Sequence, residues 1–271
     1  MDHRANIITG AVVACFSLLL SACADSGADK AGERQGRDPT ILTFANVALG
    51  LPAQLDVYAR EVEALSGGTL RIEFHNHWRP NSTTFEIDTI DDVRAGEVDM
   101  AWVGARAFDV VGVTSFQALL APMLVDSYDL QAAVFEAGIP DRMLGGLRST
   151  GLEGIGVLPS PMERIMGISH AFVNPADFEG EVVGTVRSAL GEQTFEALGA
   201  TPQWGVANSK NATAGLDATN ASLLNIFRLS GERAGRGFTT ANLNLWPRPL
   251  VLFMEADRFA ALAPEHRDIL R

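Results

Sequence analysis

The stretch RIMGISHAFVNPADFEGEVVGTVRS spans residues 164–188, and TFEALGATP follows it at residues 194–202. The start of this stretch predicts a buried strand. Residues 162–168 are apolar except for Glu163 and Arg164, and a nearly continuous apolar run is typical of a strand that is covered on both faces. The chain around this strand is therefore expected to form an α/β fold.

The rest of the stretch predicts a turn, a second strand and a helix. Asn-Pro-Ala-Asp at residues 174–177 is typical of a turn, because proline fixes φ and the Asn and Asp side chains can bond the nearby backbone. Residues 182–186 are rich in valine and indicate the strand. Ser188 can cap the helix that follows, and Gly199 can end it.

Strands and helices also alternate before this stretch. The apolar spacing predicts strands at residues 41–45, 70–74 and 100–103, with helices over 51–65 and 85–95 between them. This order indicates a parallel sheet with right-handed crossover connections. Later in the chain, the same reasoning predicts strands at 152–158 and 243–254 and a helix at 264–270.

The composition limits the classes of function. The chain has 271 residues, 47% of them hydrophobic, which is ordinary for a folded protein with enough length for two lobes. Its formal net charge is -12, and it has no basic cluster, so nucleic acids and anionic membranes are poor partners. The sequence shows no phosphate loop, nucleophile elbow or HExxH motif, so neither catalysis nor a cofactor is expected.

The N-terminus reads as a secretion signal. Residues 7–20 are strongly apolar and follow Arg4, yet the run is too short to span a bilayer comfortably. It ends in Leu-Ser-Ala-Cys, which resembles the lipobox of bacterial lipoproteins. The resemblance implies a signal peptide over residues 1–22, lipid on Cys23 and a flexible tether over 23–39; a plain signal peptide is the alternative. The other cysteine lies within the signal, so no disulfide and no thiol enzyme is expected.

Several segments resemble substrate-binding proteins of tripartite ATP-independent periplasmic (TRAP) transporters, of the C4-dicarboxylate-binding type. They are NPADFEG at 174–180, FEALGATP at 195–202, LTFANV at 42–47, GGTLRIEF at 67–74, VRAGEVDM at 93–100 and LAPEHR at 262–267. No segment is specific by itself. Their order and spacing together carry the resemblance, which spans nearly all of the chain after the leader.

The resemblance implies a two-lobed fold like that of periplasmic binding proteins, with a ligand cleft between the lobes. Lobe I is expected over residues 40–159 and 245–271, and lobe II over 160–244, with a turn at 217–220. The family continues beyond residue 271, so the chain is expected to be truncated at its C-terminus. The implied function is capture of a small organic anion outside the cytoplasmic membrane by hinge closure, and its delivery to TRAP membrane permease subunits.

Arg164 is the first candidate for ligand binding. It interrupts an apolar strand, and a buried guanidinium needs either an acidic side chain or a ligand carboxylate, which it can hold through two hydrogen bonds. A structural ion pair is the alternative. An arginine at this position contacts the ligand in the resembling family, which favours ligand binding.

The resembling family also has an arginine on the next strand, which forms a salt bridge to the substrate carboxylate. Counting without gaps from the Gly-Ala pair at 199–200, this position is Gly184 here, and Arg187 lies three residues further on. An odd offset along a strand points a side chain to the opposite face, so Arg187 can replace the missing arginine only if the register shifts. Otherwise Arg164 holds the ligand alone, or the ligand is not a simple monocarboxylate.

The remaining candidates lie at strand ends or helix starts, where ligands collect in open α/β sheets. By resemblance they are Asn46, Glu86, Trp102, Gly104, Asn220 and Asn242. For each of them the alternative is a core or surface role. His75 and His77 have no evident third ligand, so no metal site is predicted.

Other functions stay open at this stage. A binding protein of an ATP-driven importer is the nearest alternative. An enzyme on a binding-protein fold would need a titratable pair that converges in the cleft. An orphan sensor or scaffold lipoprotein that has lost ligand binding would show a cleft filled by its own side chains, and the missing strand arginine favours it.

Overall fold

A computed structural model describes residues 38–48, 50–80, 82–204, 214–223, 225–226, 237–240 and 243–271. Its strands are β1 (Thr40–Asn46), β2 (Leu70–Asn76), β3 (Met100–Gly104), β4 (Leu152–Leu158), β5 (Met162–Gly167), β6 (Val182–Thr185), β7 (Thr201–Trp204), β8 (Ala218–Ser222), β9 (Phe238–Thr239), β10 (Trp246–Pro247) and β11 (Leu250–Glu255). Its helices are α1 (Ala53–Leu65), α2 (Phe85–Arg94), α3 (Ala107–Val110), α4 (Gln117–Leu120), α5 (Tyr128–Glu136), α6 (Ile139–Met143), α7 (Ala189–Ala197), α8 (Ala256–Ala260) and α9 (Pro264–Leu270). The expected α/β class is confirmed.

The first sheet has the strand order β2-β1-β3-β11-β4. As the sequence predicts, β1 runs parallel to both β2 and β3. In contrast, β11 runs antiparallel between β3 and β4. Fully buried Phe44 and Phe253 belong to apolar clusters on opposite faces of this sheet, and burying such a side chain contributes about 1.5–3 kcal/mol before entropy is counted.

The second sheet has the strand order β10-β5-β8-β6-β7, and β9 also pairs with β5. Here β6 runs parallel to β7 and β8, whereas β5 is antiparallel to its neighbours. Its core contains Val183 from β6, Phe195 from α7 and Trp246 from β10. The chain passes between the sheets after β4 and again after β10, so β5 and β10 lie at the junction.

Local sequence signals explain how the second sheet is joined to its helix. Asn174 and Asp177 form a capping box around a short 3₁₀ turn, which is the turn that the Asn-Pro-Ala-Asp sequence predicts. Ser188 caps α7, because its Oγ accepts a hydrogen bond from the Gly191 amide at 3.2 Å. Gly199, with φ of 81°, follows the end of the helix as predicted.

Two predictions about local structure are wrong. Residues 217–220 do not form a turn, because β8 starts at Ala218 and fills the space between β5 and β6. The strand predicted at 243–254 is broken by Arg248 and Pro249 into β10 and β11, which belong to different sheets. Proline has no amide hydrogen for a ladder, so a break beside it is expected.

Candidate functional site

Four charged side chains, here called the charged cluster, lie together where the two sheets meet. They come from α2, the turn after β3, strand β5 and the segment between β10 and β11, and they are Glu86, Arg106, Glu163 and Arg248. Glu86, Arg106 and Glu163 have side chains only 5%, 6% and 5% exposed, and Arg248 is 25% exposed. Positive and negative charges balance within the cluster, as the burial of charged groups requires.

Glu86 is held from the side of the first sheet. Its Oε2 accepts a hydrogen bond from Arg106 Nη2 at 2.9 Å. Its Oε1 accepts from the Gly104 amide at 3.0 Å and from Arg248 Nη2 at 3.4 Å. A Cβ at Gly104 would lie 2.8 Å from Arg106 Nη1, so glycine at this strand end permits the close approach of the cluster.

Glu163 brings the second sheet into the cluster. Its Oε2 accepts hydrogen bonds from Asn220 Nδ2 at 2.6 Å and from Trp246 Nε1 at 3.2 Å. Its Oε1 lies 3.9 Å from Arg106 Nη1 and 3.7 Å from Arg248 Nε. One carboxylate is thus surrounded by two guanidinium groups, an amide and an indole, and these donors come from both sides of the junction.

The environment of the charged cluster lowers the pKa of Arg106. Removal from water lowers the pKa of Arg106, the Glu86 carboxylate opposes this effect, and the nearby Arg248 guanidinium adds to it. Arginine nevertheless stays protonated in proteins. The positive charge of Arg106 is therefore compatible with burial because the Glu86 and Glu163 carboxylates accompany it.

A small cavity of about 10 Å³ borders the charged cluster. It is lined by Arg106, Leu120, Thr185, Ser188, Gly191, Asn220 and Trp246. Within the described ranges, the buried Arg106 Nε and Asn220 Oδ1 have no hydrogen-bond partner. The cavity has room for about one water molecule, so in this conformation the junction is nearly closed.

A second carboxylate connects elements of the two sheets beside this cavity. Asp109 on α3 caps the N-terminus of α7: its Oδ1 accepts from the Ala189 amide at 2.9 Å, and its Oδ2 accepts from Ser188 Oγ at 2.9 Å and from the Leu190 amide at 3.0 Å. A negative charge at the start of a helix is also favoured by the helix dipole. The Asp109 contacts therefore add a second polar link across the closed junction, beside the charged cluster.

The predicted ligand residue Arg164 lies on the other face of β5 from Glu163, since neighbouring side chains of a strand alternate. It is half-buried and pairs in register with Ala221. The register from β5 through β8 to β6 places Gly184 on this same face. A Cβ at Gly184 would lie 2.3 Å from Leu216 Cδ1, so Leu216 occupies the space that a side chain at the expected arginine position would need.

Arg187, the proposed substitute for that arginine, contacts a different partner. Its guanidinium carbon lies 3.9 Å from the centre of the Trp204 ring, in a cation–π arrangement. Trp204 is the last residue of β7 and is 38% exposed. Contact of Arg187 with a ligand stays a prediction.

Asn46 and Trp102 belong to a separate, neutral network at the strand ends of the first sheet. Asn46 Oδ1 accepts from Trp102 Nε1 at 3.1 Å and from the Ala48 amide at 3.2 Å. Its Nδ2 donates to Asn76 Oδ1 at 2.7 Å and to the Gly50 carbonyl at 3.0 Å. The amide of Asn46 thus uses all of its donors and acceptors within the protein.

The structure therefore groups some predicted residues and separates others. Glu86, Gly104 and Asn220 belong to the charged cluster or contact it, whereas Asn242 and Cys23 lie outside the described residues. A ligand role for the predicted residues is not tested by this geometry and stays a prediction. The described residues include no group of three or more His, Cys, Asp or Glu side chains that could hold a metal ion.

Three residues here were not predicted from the sequence. Arg106 and Arg248 belong to the charged cluster, and Trp246 contacts it. Glu163 was noted only as an interruption of the β5 pattern, although the argument for Arg164 applies to it equally. Arg106 follows β3 by two residues, so its position at a strand end was a usable signal. Arg248 stands between two prolines, and prolines interrupt the hydrogen bonding of a buried strand.

The chain matches the model of a known protein family. The model of the bacterial extracellular solute-binding proteins, family 7 (DctP), matches residues 52–271. No curated protein sequence matches the chain.

Solved structures share the fold at low sequence identity. A TRAP periplasmic solute-binding protein from Bradyrhizobium sp. BTAi1, in complex with α/β-D-galacturonate, has a TM-score of 0.73 and 21% identity, covering 86% of this chain and 77% of that chain. The sugar acid binding protein DctPAm from Advenella mimigardefordensis, in complex with galactonate, has a TM-score of 0.70 and 18% identity, covering 86% and 75%. A TRAP solute-binding protein from Ochrobactrum anthropi, with its C-terminus bound in the ligand-binding pocket, has a TM-score of 0.70 and 19% identity, covering 86% and 73%.

These similarities confirm the expected two-lobed fold of periplasmic binding proteins. In this chain the charged cluster lies where the two sheets meet. The family consists of solute-binding proteins of transport systems rather than enzymes. Because the family model covers most of the chain, the protein belongs to family 7 of the bacterial extracellular solute-binding proteins, the substrate-binding proteins of TRAP transporters.

Proposed function

We propose that this protein captures a small organic acid between its two lobes and delivers it to the membrane permease subunits of a TRAP transporter. The observation that carries the proposal is the group of donors around the Glu163 carboxylate, which come from both lobes and suit a carboxylate. The galacturonate and galactonate bound by similar proteins are also carboxylates. A ligand that touches both lobes stabilises the closed state by its higher affinity for that state.

The family supports a place of action outside the cytoplasmic membrane. Solute-binding proteins of this family act outside the cytoplasmic membrane. In the part of the chain that the structure describes, no helix is long and apolar enough to cross a bilayer. Attachment by lipid on Cys23, after removal of residues 1–22, is the anchor that the Leu-Ser-Ala-Cys sequence favours.

The test is thermal unfolding of the purified protein with a panel of compounds. D-galacturonate, D-galactonate and (S)-2-acetolactate serve as acids, and D-galactose serves as a neutral sugar. A ligand at a hundred times its Kd adds about 2.7 kcal/mol to the free energy of unfolding, so at least one acid is expected to raise Tm. A shift with D-galactose but with none of the acids would contradict an acid-binding function.

Arg164→Ala tests the arginine that the sequence singles out. If Arg164 holds the carboxylate, the variant loses the acid-induced shift in Tm while still unfolding cooperatively. Arg60→Ala is the matched control, because the Arg60 side chain is 68% exposed and pairs with Asp56 on the surface of α1. An equal acid-induced shift in all three proteins would assign Arg164 a structural role instead.

An orphan sensor or scaffold lipoprotein is the second candidate. It is favoured by Leu216, which fills the space beside Gly184, and by the small volume of the cavity at the junction. In this case no compound in the panel shifts Tm, although the protein unfolds cooperatively.

A further inference from the structure

We propose that Glu163 is an internal occupant of the position where a solute carboxylate binds, and that the solute has to replace it. This inference rests on the proposed function, whose binding site it specifies. The carboxylate position is defined by the four side chains around Glu163, which are Arg106, Arg248, Asn220 and Trp246.

The geometry around Glu163 is that of a carboxylate receptor. Glu163 Oε2 accepts hydrogen bonds from two neutral donors, Asn220 Nδ2 at 2.6 Å and Trp246 Nε1 at 3.2 Å. The other oxygen faces two guanidinium groups at 3.7 and 3.9 Å. These donors do not depend on the rest of the glutamate side chain, so the carboxylate of a solute can take the same contacts when Glu163 turns away.

The charge of the cluster explains why the solute and Glu163 exclude each other. With Glu86 and Glu163 in place, the two arginines are already neutralised. A further carboxylate would add an unbalanced negative charge to a largely buried site, which is strongly unfavourable. When Glu163 leaves, the arginines and Glu86 carry one net positive charge, which suits one carboxylate.

The atoms beside the cavity indicate what else such a solute carries. Arg106 Nε is a buried donor and Asn220 Oδ1 is a buried acceptor, and neither has a partner within the described ranges. A hydroxyl group can accept from the first and donate to the second. Both residues line the cavity, so the class of solute is a hydroxylated carboxylic acid.

Occupation by Glu163 has a measurable cost for binding. The apparent affinity for a solute falls in proportion to the fraction of molecules in which the position is available. Glu163→Gln keeps the shape and an acceptor for Asn220 and Trp246 but removes the charge. The variant is therefore expected to bind D-galacturonate or D-galactonate about tenfold more tightly than the parent protein, as measured by calorimetric titration.

Asp109→Asn is the matched control. The substitution removes the negative charge of Asp109, which also links the two lobes. The Asp109 carboxylate binds the N-terminus of α7 rather than the donors around Glu163. Its affinity for the acids is expected to change less than about threefold. An equal gain in both variants would show that net charge or easier opening, rather than Glu163 as occupant, controls affinity, and would overturn the inference.

Glu163→Ala covers the case in which the Gln variant does not fold. It removes both the carboxylate and its charge from the position, so tighter acid binding is again expected. If the parent protein binds acids and neither variant binds them more tightly, the inference is overturned while the proposed function stands. If D-galacturonate and D-galactonate bind to none of these proteins, both fail.

Small-angle scattering of the ligand-free proteins gives a second readout. Glu163 joins the lobes without a solute, so Glu163→Gln is expected to have a larger radius of gyration than the parent. Addition of a bound acid then reduces it to the parent value. Equal radii for the ligand-free parent and the Gln variant would contradict a role of Glu163 as an occupant that keeps the lobes closed.

Discussion

Both sheets bury polar side chains at a strand end, but the two sheets differ in the partners that these side chains have. At the end of β1 in the first sheet, Asn46 satisfies all of its hydrogen bonds with Trp102 and other neutral partners. At the start of β5 in the second sheet, Glu163 depends on charges from the opposite lobe. Within the described ranges, Arg106 Nε, Asn220 Oδ1 and Arg248 Nε nearby have no hydrogen-bond partner. A neutral, saturated network fixes structure, whereas a charged and incompletely satisfied one can exchange partners with a ligand.

The largest expected effect comes from Arg106→Ala. It leaves the two buried carboxylates of Glu86 and Glu163 with the Arg248 guanidinium alone, and breaking a buried pair costs about 3–5 kcal/mol. Urea unfolding measures the loss. Arg60→Ala, on the exposed surface of α1, should cost less than about 1 kcal/mol. A loss this small for Arg106→Ala would mean that the charged cluster is not important for the closed junction.

Asn46→Ala probes the neutral network and should have a smaller effect. It removes the acceptor of the buried Trp102 indole N–H, and an unsatisfied buried group costs about 1–3 kcal/mol. Because Asn46 has no free hydrogen-bonding capacity, the affinity for an acid is expected to stay the same in a calorimetric titration. A clear loss of affinity would instead support the ligand contact that the family resemblance implies.

Gly184→Ala tests how tightly the second sheet is filled at the expected arginine position. The new Cβ would lie 2.3 Å from Leu216 Cδ1, and such overpacking costs about 1–3 kcal/mol. The double variant with Leu216→Ala should not suffer this clash. Gly156→Ala is the matched control, because nothing lies within 4 Å of a Cβ there. Equal unfolding free energies for both single variants would show that Leu216 moves aside freely.

Arg187→Ala should have the smallest effect. It removes the cation–π contact with Trp204, which contributes about 0.5–1 kcal/mol at an exposed site. Fluorescence of the tryptophans during urea unfolding reports this change. A much larger loss of acid affinity than of stability would show that Arg187 reaches the ligand after all.

Sequence patterns predicted the first sheet well because its strands are short, apolar and separated by helices of clear periodicity. The bounds of β4 match the prediction at both ends. The error at residues 217–220 has a different cause. Asp217 was assigned to a turn, whereas β8 begins at the next residue because β5 and β6 offer it unpaired backbone on both sides.

The candidate site was harder to predict because its contacts are not local. The hydrogen bond between Arg248 and Glu86 joins residues 162 positions apart, and no pattern along one strand shows such a pair. Even within β5, a shift of one residue decides between Glu163 and Arg164, which point to opposite faces. Sequence spacing located the strand, but only the packing of the two lobes showed which of its charged residues faces the junction.

Because Asp109 caps α7 from the opposite lobe, the rate at which the lobes open can be measured at the capped amides. The amides of Ala189 and Leu190 donate to this carboxylate from the opposite lobe, and such N-terminal amides have no partner within their own helix. They become available for hydrogen exchange with solvent when the lobes separate. Their exchange rates therefore record how often the protein opens, and a bound solute should slow both by the same factor.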